Sequence, residues 1–165
     1  MPITRLNHAV LYVRDARRSA AFYTEVLGFV VRHDVGDGKA IFLRSAESDN
    51  DHDLGLFSVG DQVGGSQAGS GTVGLYHLAW QVDTLDELDR LRGVLAERGA
   101  LVGASDHGAT KSLYARDPDG LEFEVMYLVP ADEWGAEEHQ AIIRPLDLEA
   151  ERRREHERRA AQPAS

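Results

Sequence analysis

The sequence predicts an α+β protein: two paired βαβββ modules whose sheets form a half-open β-barrel with the helices outside. Three observations point there. The segments 6-LNHAVLYV-13 and 75-LYHLAWQV-82 resemble one another, and each carries a histidine at its third position. An amphipathic helix pattern follows each segment, and strand-like runs follow each helix. The copies lie roughly seventy residues apart, too long for a solenoid unit and suited to an internally duplicated domain.

The first module is expected over residues 1–60. After its first strand, Ala20, Tyr23, Val26 and Leu27 recur at helical spacing from Asp15 onward, and Gly28 supplies the stop. Strands are expected at 29–35, 39–45 and 54–60. Residues 61–72 are Gly/Ser-rich and nearly lack large apolar groups, which reads as a flexible linker or lid.

The second module is expected over 73–130. Thr84 reads as an N-cap, and Glu87 three residues on completes a capping box. Leu85, Leu88, Leu91 and Leu95 form a stripe that ends near Gly99. Strands are expected at 101–105, 112–116 and 121–129.

The last two strands are joined by Asp117-Pro118-Asp119-Gly120. Proline presets φ, aspartate bonds its own backbone, and glycine takes the left-handed position. A three-residue loop with Gly120 in a bulge sets Asp117 opposite Leu121 and therefore Tyr114 opposite Glu124. A one-residue slip would separate that pair. Alternation sends Leu121, Phe123, Val125 and Tyr127 to one face and Glu122, Glu124 and Met126 to the other. The apolar face suits packing against helices. The polar face is either solvated or lines a pocket.

Residues 131–165 have no counterpart in a minimal pair of modules and are expected to be mostly helical or frayed. The mixed-charge run 147-DLEAERRREHERRA-160, with His156, reads as a solvated helix. Trp134 is placed to dock this tail on the body or on a second subunit. His33 and His139 read as surface residues, Lys111 and Arg116 as solvated charges, and Trp80 as core. Asp106 either orients His107 or is a plain loop carboxylate.

The chain has 165 residues, enough for one domain or two small fused modules. It has no cysteine, which excludes disulfides, thiolate zinc sites and a cysteine nucleophile. Any metal must be held by imidazole and oxygen donors. A net charge of -10 argues against nucleic acid as a partner. There is no signal-peptide pattern and no long apolar run, so a soluble cytoplasmic protein without membrane contact is expected.

On their strands, His8 shares a face with Val10 and Tyr12, and His77 shares one with Ala79 and Gln81. A single strand histidine is usually structural. Two at repeat-equivalent positions, together with Glu124 on an inner-face strand, make a set of two imidazoles and one carboxylate. Such a set can bind one face of a six-coordinate divalent iron or manganese and leave the other positions open.

Through LNHAVLYV, GLYHLAWQV and above all DHGATKSLYARDPDGLEFEV, residues 4 to 130 resemble the vicinal oxygen chelate superfamily of glyoxalases, bleomycin resistance proteins and extradiol dioxygenases. Within it, the chain looks most like the single-domain type I extradiol (catechol 2,3-) dioxygenases. The resemblance implies His8, His77 and Glu124 as ligands of Fe(II), or of Mn(II) as in some members. It implies His107 and Tyr114 as the residues that orient the bound diol and handle its protons. The implied substrates are a small aromatic diol and O₂, and the implied assembly is a homodimer or higher homo-oligomer.

One feature departs from the pattern. Two-domain members carry a further acid/base histidine upstream of the second metal histidine, and here no histidine lies between His52 and His77. Either His107 suffices, or His52 or the linker substitutes. Two other readings stand beside ring cleavage. Glyoxalase-like lyases and isomerases take a fourth ligand from the first module's last strand, where the positions parallel to Glu124 read as Leu54 or Leu56. A metal-free, drug-sequestering binder needs no ligand set at all.

Overall fold

The computed structural model describes residues 2–137 and 140–161, and the chain divides into two units. One runs to Gln67 and also takes in Asp117–Leu121; the other holds Ala68–Arg116 and the described residues from Glu122 on. His139 lies outside the described residues. Among those described, no helix is long and apolar enough to cross a membrane.

The first unit runs β1 (Ala9–Val13), α1 (Ala16–Leu27), β2 (Val30–Val35), β3 (Ala40–Arg44), β4 (Leu54–Ser58). Its sheet has the order β1-β4-β3-β2, with β1 parallel to β4 and the other pairs antiparallel. The Asp15 carboxylate accepts from the N–H groups of Arg17 and Arg18 and starts α1. Gly28 ends it at φ 73°, where its N–H bonds the Thr24 carbonyl. Ala20, Tyr23 and Val26 of the helix and Leu11, Val13, Ile41, Leu43, Leu54 and Leu56 of the sheet are buried and form the core. The other face of β1 carries exposed Val10 and Tyr12, as strict alternation requires.

The hairpin tip belongs to this unit. Asp117 N–H bonds the Leu121 carbonyl at 2.9 Å, and Asp117 Oδ1 accepts from the N–H groups of Asp119 and Leu121. Gly120 sits at φ 80°, as the bulge demands. Asp119 accepts from Arg14 at 2.8 Å and from Arg18 at 2.6 Å. Burial pushes the Asp119 carboxyl upward, but the hydrogen bonds from Arg14 and the Arg18 charge outweigh it and hold it below the usual range.

The second unit repeats the design: β5 (His77–Val82), α2 (Leu85–Glu97), β6 (Leu101–Asp106), β7 (Thr110–Arg116), β8 (Glu122–Leu128), in the order β5-β8-β7-β6 with β5 parallel to β8. Thr84 caps α2 through the Glu87 N–H at 3.1 Å. The Glu87 side chain bonds Arg90 instead, so only one half of the expected capping box forms. Leu85, Leu88, Leu91 and Leu95 are all buried, and they pack on a sheet core of Leu113, Ala115, Phe123 and Val125.

The tail is built in rather than frayed. Trp134 Nε1 donates to the Val129 carbonyl at 2.8 Å, which docks the tail on the body. A third helix, α3 (Leu148–Ala161), packs along α2. Leu148 is buried at its start, Arg152 bonds Asp86 and Asp89, and His156 bonds Asp86. The run is therefore charge-paired to α2, not simply solvated.

Two other expectations change. Lys111 is only 4% exposed and bonds Asp106 at 2.6 Å, so it is a buried, neutralised charge. Trp80 is half-buried rather than core.

Candidate metal centre

In the second unit, β5 and β8 run in register with His77 opposite Glu122 and Ala79 opposite Glu124. His77 and Glu124 thus share a sheet face, one strand apart. Their side chains meet, with His77 Nε2 and Glu124 Oε2 3.1 Å apart. Two donors bound at right angles to one ion at ~2.1 Å each would lie ~3.0 Å from one another. The spacing and the imidazole–carboxylate chemistry therefore fit a shared divalent ion. Glu124 is 9% exposed, which requires a cation or hydrogen-bond donor nearby. The rings of Tyr76 and Tyr114 flank His77 at 4.6 and 5.7 Å between centroids. Its Nδ1 is buried with no hydrogen-bond partner among the described residues, so Glu124 and these rings set its orientation.

The antiparallel pair β7–β8 places Tyr114 opposite Glu124. The hairpin chemistry of residues 117–120 fixes this register, so the polar pair converges as the sequence predicts. Burial, then the charge on Glu124, raises the Tyr114 hydroxyl above its ordinary pKa and keeps it protonated at neutral pH.

His107 follows β6 in a tight loop closed by its own N–H to the Thr110 carbonyl at 2.9 Å. Its Nε2 lies 2.9 Å from the Tyr114 hydroxyl and its Nδ1 2.7 Å from the Ile142 carbonyl. His77, Glu124, Tyr114 and His107 thus form one connected row on the second unit.

His8 belongs to the first unit. It lies immediately before β1 rather than within it, bonds Asn7 Oδ1 through Nδ1 at 2.9 Å, and its ring lies 4.6 Å from that of His52 at a tilt of 50°. Among the described residues no three His, Asp or Glu side chains are gathered at metal-holding spacing. Of the three predicted ligands, His77 and Glu124 are the pair that meets.

Strand register also corrects the expected counterpart of Glu124. Val10, two residues past His8, pairs with Gly55, as Ala79, two past His77, pairs with Glu124. The counterpart is therefore Gly55, not Leu54 or Leu56, both of which are buried on the core side. Asp53, two residues before Gly55, is committed to the Ser45 N–H and to the Ser48 and Asn50 side chains.

The contacts of the 106–111 turn with the tail have little signature in the sequence. The hydrogen bonds of Asp106, 5% exposed, go to Lys111, Arg144 and the Gly108 N–H, while the His107 ring bonds Ile142 and Tyr114. Ile142 acts through a backbone carbonyl, which leaves no trace in residue type. The adjacency of Asp106 to His107 is the one available hint.

The chain belongs to the Glyoxalase/Bleomycin resistance protein/Dioxygenase superfamily, whose profile matches residues 5–125. It is similar to a catechol-2,3-dioxygenase of Bacillus subtilis (strain 168), 30% identical over 138 residues, covering 79% of this chain and 44% of that protein. It is also similar to biphenyl-2,3-diol 1,2-dioxygenase 3 of Rhodococcus globerulus, 34% identical over 123 residues, covering 73% and 62%. The chain thus spans roughly half the length of these curated relatives. Among solved structures, a glyoxalase/dioxygenase from Nostoc punctiforme shares the fold at TM-score 0.63 and 24% identity, over 76% of this chain and 92% of that one. A fosfomycin resistance protein from Listeria monocytogenes does so at TM-score 0.59 and 20% identity, over 81% and 99%.

Proposed function

We propose that the protein is a metal-dependent extradiol dioxygenase that opens the ring of a catechol-type diol with O₂, using Fe(II), or Mn(II) in its place, and working as a homo-oligomer. The observation that carries this is the connected row His77–Glu124–Tyr114–His107 on one unit, with a buried carboxylate beside an imidazole at ligand spacing. His77 and Glu124 would hold the ion. His8 fills in the first unit the place of His77 in the second, and that equivalence is what supports it as a proposed third ligand. Such an ion supplies Lewis acidity toward the diol hydroxyls and a redox path to dioxygen.

The protein's own groups then manage protons. The Ile142 carbonyl can only accept, so His107 Nδ1 carries hydrogen and Nε2 of the neutral ring carries a lone pair. Tyr114 therefore donates its hydroxyl hydrogen to Nε2. Its oxygen lone pairs remain for a diol proton, which can pass through the hydroxyl to His107. This relay offers one answer to the missing upstream histidine.

Within the first unit, the Phe42 ring lies 5.9 Å from Phe57 and 4.9 Å from His52. Gly55 weighs against glyoxalase-like chemistry, because the corner that would offer a fourth ligand has no side chain.

The test is to prepare the protein without oxygen, load Fe(II), and add catechols in air while following oxygen uptake and the yellow ring-opened product. Turnover that disappears in His77→Ala supports the proposal. A metal-loaded protein inert toward several catechols moves the function to lyase or isomerase chemistry, and failure to bind metal leaves a binding protein.

A further inference from the structure

We infer that the C-terminal strap around Ile142 and Arg144 sets the tautomer of His107, and that Arg144 is the positioning residue that holds the strap in place. The effect on turnover rests on the dioxygenase proposal; the effect on the ring does not.

The strap is pinned beside His107. Arg144 and Asp106 exchange both backbone hydrogen bonds, at 2.9 and 3.0 Å, as a single antiparallel bridge. The Arg144 guanidinium bonds Asp106 Oδ2 at 2.8 Å and both Glu137 oxygens at 2.6 and 3.0 Å. Asp106 in turn takes Lys111 Nζ at 2.6 Å and the Gly108 N–H at 2.8 Å. The turn and the tail are therefore tied through one buried carboxylate.

The fit is close. Gly108 sits at φ 76°, and a Cβ there would meet Glu137 Oε2 at 2.8 Å and Ile142 Cδ1 at 3.2 Å. Only glycine lets the tail approach this far. The approach puts the Ile142 carbonyl 2.7 Å from His107 Nδ1.

A carbonyl imposes a definite outcome. It needs a hydrogen on Nδ1, which leaves the Nε2 lone pair toward Tyr114. A histidine ring facing water on Nδ1 favours hydrogen on Nε2 instead. Nε2 would then donate to the Tyr114 oxygen and could not accept from it. The strap thus decides the direction of the Tyr114–His107 bond, and Arg144 decides whether the strap stays.

Nitrogen NMR of the His107 ring in the full chain tests this, with the signal assigned by its loss in His107→Gln. The wild type is expected to show hydrogen on Nδ1. Arg144→Ala is expected to shift the population to Nε2–H, and Arg144→Lys, which keeps a cation on Asp106, to restore it. Glu137→Gln, a surface change that weakens only the outer clamp, is expected to give an intermediate population and serves if Arg144→Ala does not fold. In the active enzyme, Arg144→Ala lowers kcat about tenfold with KM nearly unchanged, below the full contribution of a general base. Hydrogen on Nε2 in the wild type, or an unchanged Nδ1–H signal in both Arg144→Ala and Glu137→Gln, overturns the inference. Absence of turnover in the wild type as well as in every variant, with the tautomer shift intact, overturns the dioxygenase proposal and leaves this one standing.

Discussion

The two units share one scaffold and differ in what they hang on it. Register makes the correspondence explicit. In the second unit Tyr114 lies opposite Glu124; in the first, Phe42 lies opposite Gly55. A Cβ on Gly55 would touch the Phe42 ring at 3.4 Å, so the phenyl lies against the space an acidic side chain would need. The turn that carries His107 in the second unit corresponds to Gly36-Asp37-Gly38 in the first, which has no imidazole. The two units share strand order, a side-chain N-cap on the helix and an apolar core. The second unit carries the polar row, and the first carries aromatic rings at the equivalent positions. Topology sets where a side chain can reach, and residue choice at a few inward positions sets what it can do there.

The comparison can be broken most severely at the carboxylate. Glu124→Ala turns the second unit into a likeness of the first and is expected to lower divalent-metal affinity by at least about a hundredfold, since even outer partners of metal ligands cost 10–100-fold. Calorimetric titration with Mn(II), which does not oxidise in air as readily as iron, measures it. Unchanged affinity would mean that the ion, if any, is held elsewhere.

Tyr114→Phe copies Phe42 into the second unit. It should reduce kcat about a hundredfold while leaving metal affinity within twofold, because only the proton relay is lost. Steady-state kinetics with a fixed catechol separates the outcomes, and equal activity would remove Tyr114 from the chemistry.

The helix caps sharpen the parallel at smaller scale. Asp15 serves two backbone N–H groups and Thr84 one. Each cap substitution by alanine should cost about 1 kcal/mol, with Asp15→Ala the larger. Shifts in urea midpoint report the order.

Acid should act on both units alike. The Asp119 and Asp106 carboxyls are both held below the usual range: burial raises each, but Arg14 and Arg18 outweigh it for Asp119, and Lys111 and Arg144 for Asp106. Depressed folded values mean that their stabilisation is complete above about pH 4 and is lost as pH falls through the depressed values. Asp106→Asn should therefore flatten the acid limb of the stability curve, whereas an unchanged limb would show that its ion pairs contribute nothing there.

Much of this was legible in the sequence. Asp15, Gly28 and Thr84 mark helix ends by local chemistry, and the Asp117–Gly120 turn determines the register that joins Tyr114 to Glu124. What escaped depends on non-local placement. Gly55 emerges as the counterpart of Glu124 only once β1 and β4 are paired, because a one-residue difference flips the face. Lys111 reads as a solvated charge until Asp106 at the end of β6 and Glu151 of α3 are found beside its Nζ, at 2.6 and 3.6 Å. Ile142 contributes a carbonyl, which every residue has. His8 stands just outside its strand because β1 begins pairing at Ala9, whose N–H bonds the Asp53 carbonyl.

The most direct measurement is oxygen uptake by the anaerobically prepared, Fe(II)-loaded protein on addition of a catechol, run beside Glu124→Ala. Dioxygenase chemistry predicts one O₂ consumed per yellow ring-opened product in the wild type and none in the variant. A wild type that binds iron tightly yet consumes no oxygen with any of several catechols, or a variant that turns over as fast, would contradict it.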